Sequence, residues 1–268
     1  MPSHNQPQGL KQSAPVTVNR HGNHVALVTI TRASSANSID ISTATALGDA
    51  FDALEDDDSV HCVVLTGEGQ RVFCAGADLK KIYDTRQLSP SDPRRAANGF
   101  AGIAARRRTT PLIAAVNGHA FGGGCEIALA ADLIVASNEA SFALPETSLG
   151  LFAAGGGVLR LPTVIPRHKA MEMLLLAEPR PARWLADAGM VNAIVPPGNV
   201  LDTALDWADK IASRYRNAVV ETMKCANNGL VSEKAWQEND HAFELLINSP
   251  HRHGRSPSLP QPTNCLMK

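Results

Sequence analysis

Apolar residues recur along this chain with two different periods, and the period changes from the first half to the second. Val16 to Val18, Val25 to Thr31, His61 to Thr66, Pro111 to Val116, Leu133 to Ala136 and Ser141 to Leu144 are short apolar runs of strand length. The first two flank Asn19-Arg20-His21-Gly22-Asn23-His24, a polar stretch with the composition of a hairpin turn. Helical spacing first appears at Ile41 to Leu54, which ends in the acidic run Glu55 to Asp58. From Pro166 onward it dominates, over His168 to Leu176, Ala182 to Ala188, Leu201 to Ser213, Ala218 to Asn228 and Ser232 to Leu246. Strands early and helices late predict an α/β core followed by a helical portion suited to assembly. A strand, strand, helix order recurs loosely through the first 160 residues without a sequence repeat, so a coil of similar units is a structural expectation only.

The polar stretches divide the chain. Residues 1–14 lack a hydrophobic signal core and read as a disordered leader. Thr85 to Ala97 carries prolines and charges without a period and reads as an exposed loop, ahead of a helix ending in Arg106-Arg107-Arg108. Residues 248–268, rich in Pro, Ser and His, read as a disordered tail. That leaves a core over residues 15–195 and a helical region over 196–247.

Composition narrows the function classes. A chain of 268 residues with 44% hydrophobic and 19% charged residues can bury a large core. A formal net charge of -1 argues against a nucleic-acid binder working by phosphate neutralisation. With no run of eighteen apolar residues, no membrane span is expected. The five cysteines, Cys62, Cys74, Cys125, Cys225 and Cys265, lack CxxC spacing, so neither a disulfide framework nor a metal site is suggested, and a reducing compartment, the cytoplasm, is the expected location.

The candidate chemistry centres on Val116-Asn-Gly-His-Ala-Phe-Gly-Gly-Gly-Cys-Glu126, read as a strand turning into a helix. Gly122-Gly123-Gly124 strips away the side chains that would separate a ligand from backbone N–H groups, which at a helix entrance lack helical partners and carry partial positive charge. Arg71-Val-Phe-Cys-Ala-Gly-Ala-Asp-Leu-Lys80 copies this outline: small residues at a strand end, entering a helical turn. If the two strands are neighbours in one sheet, the N–H groups of Ala77 and Gly123 converge as an oxyanion hole, each donor contributing about 3 to 4 kcal/mol to a transition state. Glu126 and Glu146, twenty residues apart at the ends of successive units, could divide acid and base work. The glycine run is not a dinucleotide fingerprint, because its third small position falls on Ile127. Cys125 is expected to be a buried, inert thiol.

These residues resemble the crotonase, or enoyl-CoA hydratase/isomerase, superfamily. The likeness rests on Phe73 to Lys80, on Ala115-Val116-Asn117-Gly118 with Gly122 to Glu126, and on Phe142 with Pro145-Glu146 and Gly150. Weaker likeness runs from about Val16 to Asn227, including Arg32, Asn37 and Gly189 to Asn192. The resemblance implies a spiral of ββα units with a helical C-terminal trimerisation region, and a homotrimer or dimer of trimers. It also implies an acyl-CoA thioester substrate, with coenzyme A carried by the substrate and no separate cofactor. On that mapping Ala77 and Gly123 polarise the thioester carbonyl. Glu126 orients and deprotonates water, and Glu146 delivers the α-proton. Arg71 and Lys80 match side chains that contact the CoA phosphates, and Ala75, Gly76, Asp78 and Gly122 complete the substrate site. Retention of both glutamates favours a 2-enoyl-CoA hydratase over a Δ3,Δ2-enoyl-CoA isomerase or a non-catalytic homologue. Phe152-Ala-Ala-Gly-Gly-Gly-Val-Leu-Arg160 departs from the family's usual Pro-Gly-Ala-Gly-Gly-Thr-Gln-Arg-like run, and the usual charged C-terminal ending is replaced by His251-Arg252-His253-Gly254-Arg255-Ser256. Both departures leave acyl specificity and closure of the CoA site open.

Overall fold

Two sheets take their strands from the chain in turn. The larger has the order β1 (Val16–His21), β2 (Val25–Ile30), β3 (Cys62–Gly67), β5 (Leu112–Val116), β7 (Leu133–Ser137) and β10 (Ala193–Val195). The smaller has β4 (Val72–Cys74), β6 (His119–Phe121), β8 (Ser141–Ala143) and β9 (Arg180–Pro181). In this computed structural model, which describes residues 14–81, 97–227 and 232–247, β3, β5 and β7 of the large sheet are each followed at once by a strand of the small sheet. The chain therefore advances as a spiral of two-strand steps, and the ends of the parallel strands β4, β6 and β8 land beside one another. Residues 1–13, 82–96, 228–231 and 248–268, which include the expected leader, most of the expected loop and the expected tail, lie outside the described residues.

Burial on both faces explains the unbroken apolar runs of the large sheet. Cys62, Val64, Ile113, Ala115 and Val135 pack beneath Val200, Ala204 and Ala208 of the helix Val200–Ala212. Their alternating neighbours Val63, Leu65, Leu112, Ala114 and Val116 face the main core, which they share with Leu47 and Phe51 of α1 (Ile41–Glu55) and with Phe73 and Phe142 of the small sheet. Helix α1 starts where Asp40 accepts a 2.8 Å hydrogen bond from the Thr43 N–H, which satisfies one of the donors left over at a helix start. The other helices are α2 (Gly123–Leu129), α3 (Gly157–Val164), α4 (Arg167–Leu176), α5 (Ala182–Ala188), α6 (Val200–Ala212), α7 (Arg216–Asn227) and α8 (Glu233–Ile247). Among the described residues no helix is long and apolar enough to cross a membrane.

Two buried asparagines tie the turns between sheets to the strands. Asn117 donates from Nδ2 to the carbonyls of Gly67 (2.9 Å) and Gly69 (2.7 Å). Asn37 donates to those of Glu68 (3.0 Å) and Val72 (2.8 Å). These bonds fix where the chain leaves β3 and enters β4, and so fix the strand end that carries Ala77.

Three sequence expectations change. The stretch after Val116 is not one strand running into a helix: a turn at Asn117-Gly118 moves the chain to the second sheet, and β6 intervenes before α2. Three residues are too few for a periodicity to register. Strands β9 and β10 escaped notice for the same reason. The helix expected to end at Arg106-Arg107-Arg108 does not reach it, because Gly99, Ala101 and Gly102 all hold positive φ (71°, 58° and 69°) and leave only a 310 turn over Phe100–Gly102.

Replacing Asn117 by Ala removes both carbonyl contacts, the one to Gly67 inside the core, and should lower the unfolding free energy by about 1 to 3 kcal/mol, the cost of a stranded buried polar group. Urea denaturation, read as a drop in midpoint at constant m-value, checks this.

Candidate active site

The two small-residue strand ends meet. Strand β4 pairs in parallel with β6, and β6 with β8, so the segments following all three leave the small sheet on one side. Gly76, at φ +87°, sits so close to the start of α2 that a methyl group on it would lie 2.8 Å from the Gly123 nitrogen and 2.8 Å from the Phe121 carbonyl. Only glycine permits both that φ and that approach. Gly124 is pressed against β4 in the same way, its absent methyl falling 2.0 Å from the Cys74 carbonyl. Backbone thus meets backbone, with Ala77 following Gly76 and a parallel bridge to Ile39 holding it. Ile39 donates to the Gly76 carbonyl at 2.8 Å and accepts from Asp78 at 2.8 Å. Among the described residues neither the Ala77 N–H nor the Gly123 N–H donates to a protein acceptor.

The two glutamates flank this corner. Glu126 lies in the first turn of α2, 4% exposed, and its Oε1 accepts a 2.9 Å bond from the Gly157 N–H. Glu146 opens the 310 turn Glu146–Leu149 just beyond β8, and a methyl group on Gly122 would lie 3.1 Å from its Oε1. Its Oε2 is buried with no hydrogen-bond partner among the described residues. Burial, assisted by the Glu146 charge, lifts the Glu126 carboxyl to about 8, against the pull of the Gly157 and Gly155 N–H groups and of Arg160. Burial lifts Glu146 to about 7. Carboxyl groups with such values can exchange protons near neutrality, as a coupled pair.

The remaining sequence candidates spread outward from this corner. Gly122, at φ +53°, and Gly76 border it directly. Ala75 is exposed and donates to the Ala36 carbonyl at 3.0 Å. The Asp78 carboxylate is held by Arg32 at 3.2 Å. Arg71 and Lys80, at opposite ends of the same segment, are both exposed cations. Cys125 is fully buried and its thiol is pushed well above its usual value by burial and by the charges of Glu146 and Glu126. His119 bonds to Ser141 Oγ at 2.8 Å through Nδ1, so it does not serve as a base for that thiol through this nitrogen. Among the described residues no group of His, Cys, Asp and Glu side chains could hold a metal ion.

Sequence reasoning missed Phe100 and the part played by α8. The Phe100 ring covers Gly123, with Cε1 2.3 Å from where a methyl group would stand, and its Cβ approaches Gly155. Its position between Gly99 and Gly102 was the available signal: an aromatic side chain in a glycine-broken segment needs a packing partner. From α8, Asn239 donates to the Ala154 carbonyl at 2.9 Å, and Trp236 stacks on Arg160 with 5.1 Å between guanidinium carbon and ring centroid.

The sequence profile of the family described as Enoyl-CoA hydratase/isomerase matches residues 20–254. The chain is 41% identical over 237 residues to the mevalonyl-coenzyme A hydratase SIDH of Beauveria bassiana, covering 84% of each protein. It is 42% identical over 185 residues to the carnitinyl-CoA dehydratase of Proteus mirabilis, covering 69% of this chain and 70% of that protein. The crystal structure of carnitinyl-CoA hydratase from Mycobacterium avium superposes with a TM-score of 0.84 at 37% identity, covering 90% of this chain and 93% of that one. Sequence profile, relatives and fold agree, and the chain belongs to the enoyl-CoA hydratase/isomerase family of the crotonase superfamily.

Proposed function

We propose that the protein is an enoyl-CoA hydratase that adds water across the 2,3 double bond of a trans-2-enoyl-CoA thioester. The observation that carries this reading is the buried carboxyl group of Glu126 and the half-buried one of Glu146, with its sealed Oε2, at one glycine corner, beside two backbone N–H groups without protein acceptors among the described residues. A relative named as a hydratase and another named as a dehydratase support hydration over double-bond migration.

In this reading the thioester oxygen accepts from Ala77 and Gly123, which stabilise the enolate-like charge formed when the β-carbon is attacked. Water stands between the carboxyl groups. Glu126 takes one proton from it as the oxygen bonds to the β-carbon, and Glu146 gives a proton to the α-carbon. The shared proton must then rest on Glu146 while substrate is bound. A hydrogen bond from bound water to the Glu126 carboxylate contributes about 1.5 to 3 kcal/mol toward that placement. Arg71 and Lys80 meet the CoA phosphates, while Ala75, Gly76, Asp78 and Gly122 border the thioester path. Exposed Val164, Leu175 and Leu176 on α3 and α4 favour a homotrimer or dimer of trimers, with the apolar side chains covered by a second copy.

Glu126→Gln and Glu146→Gln should each lower kcat for crotonyl-CoA hydration by about 10²- to 10⁴-fold. Turnover unchanged in both would remove the two-carboxylate mechanism. The singly protonated pair is the active form, so protonation of both groups removes the base and ionisation of both removes the acid. A bell-shaped kcat/KM profile is expected, centred between about 7 and about 8, the values set by Glu146 and Glu126.

A further inference from the structure

The run Gly155-Gly156-Gly157 is a thin partition with opposite charges on its two sides. On one side stands Glu126: methyl groups on Gly155 and Gly157 would lie 2.4 Å from its Oε2 and 3.1 Å from its Oε1. On the other stands Arg160, whose Nη1 would lie 2.4 Å from a methyl group on Gly156, with the Trp236 ring at 2.8 Å from the same point. Gly156 holds φ +107°, a conformation glycine adopts readily and that turns it toward the guanidinium. Any side chain at these positions would push one of the charged groups away.

Among the described residues no carboxylate is bonded directly to Arg160. Its Nη1 is buried without a hydrogen-bond partner among the described residues, and no ion pair involving it occurs among them. It is held instead by the face of Trp236, and α8 is clamped to the same loop by Asn239 on the Ala154 carbonyl. Trp236 and Asn239 are three residues apart and share one face of α8. A guanidinium with a sealed nitrogen favours a nearby counter-charge, and the carboxylate across the glycine partition is Glu126.

We propose that Arg160 is a positioning residue for Glu126: stacked on Trp236, its guanidinium acts through the Gly155–Gly157 backbone to favour the ionised carboxylate and to orient the amides bound to it. Helix α8 thereby becomes part of the base's environment, and its docking onto the 154–160 segment tunes the site. The charged or titratable groups facing Glu126 are Glu146 from the turn after β8, Cys125 on its own helix, and Arg160 from α3. Arg108, which also bears on Arg160, is engaged by Asp132 at 2.8 Å. Of these, only Arg160 favours the ionised form of Glu126. Use of that ionised form as the base rests on the hydratase reading, whereas the charge coupling itself does not.

The test is a ¹³C NMR titration of the glutamate carboxyls in the Glu146→Gln background, where Glu126 titrates without its partner and is assigned by its disappearance in Glu126→Gln. Arg160→Met, which keeps the stem and removes the charge, should raise the Glu126 midpoint by about one pH unit. Trp236→Leu should raise it part of the way, and Arg160→Lys should stay near the parent. In the otherwise wild-type protein, Arg160→Met should shift the alkaline limb of kcat/KM, the one set by Glu126, upward in pH and lower kcat at neutrality with little change in KM. Midpoints in Arg160→Met and Trp236→Leu equal to the parent would overturn the proposal. If Arg160→Met does not fold, the comparison of Trp236→Leu with Arg160→Lys decides by the same criterion. A shifted Glu126 midpoint in a protein that hydrates no 2-enoyl-CoA would instead leave the coupling standing and remove the hydratase reading.

Discussion

The close approach of Gly76 to the first amide of α2 is the constraint on which the site depends. It brings two backbone segments from successive turns of the spiral to within a methyl group's width, and no side chain can be placed between them. The approach is set by the parallel pairing of β4, β6 and β8, each of which ends at the same level of the small sheet. It is maintained by Asn37 and Asn117, which fix the turn that delivers β4. Donors built this way cost little reorganisation during a reaction, because the packing of the sheets has already oriented them.

The same packing creates the chemistry of the carboxyl groups. A glutamate in the first turn of a helix is ordinarily favoured in its charged form by the helix dipole. Here the first turn of α2 is buried, and desolvation outweighs the dipole, so Glu126 and Glu146 both move toward neutrality in pH. Burying two ionisable groups together is destabilising. The fold offsets it with N–H groups of the 155–157 run and a cation across it, and leaves one oxygen of Glu146 without a partner among the described residues. Such unsatisfied groups are expected where a reactant completes the hydrogen bonding.

Much of this was readable from residue order. The hairpin, α1, the apolar strands β3, β5 and β7, and the late helices each carry enough residues for a period to show. The glycine runs and both glutamates stood out because their residue types are hard to explain by packing alone. What escaped notice was short or long-range. Strands β6, β9 and β10 span two or three residues and are defined by their neighbours in the sheets. Phe100 is placed by three positive-φ residues, of which the two glycines were visible in the sequence and Ala101 was not. The pairing of Trp236 with Arg160 spans 76 positions and depends on how α8 docks. The departure at residues 152–160, read as a change on the acyl side, also proves to be the segment on which Glu126 and α8 both rest.

The central claim is that water adds to the β-carbon while a proton reaches the α-carbon at this corner. The most direct measurement is mass spectrometry of the product formed from crotonyl-CoA in H₂¹⁸O and, separately, in ²H₂O. The account predicts 3-hydroxybutyryl-CoA carrying ¹⁸O at the β-carbon in the first solvent and one deuterium at the α-carbon in the second, with labelled product forming far more slowly when either glutamate is replaced by glutamine. Failure to form any hydroxyacyl product from crotonyl-CoA or longer 2-enoyl-CoAs, together with conversion of a 3-enoyl-CoA into its 2-enoyl isomer, would contradict it.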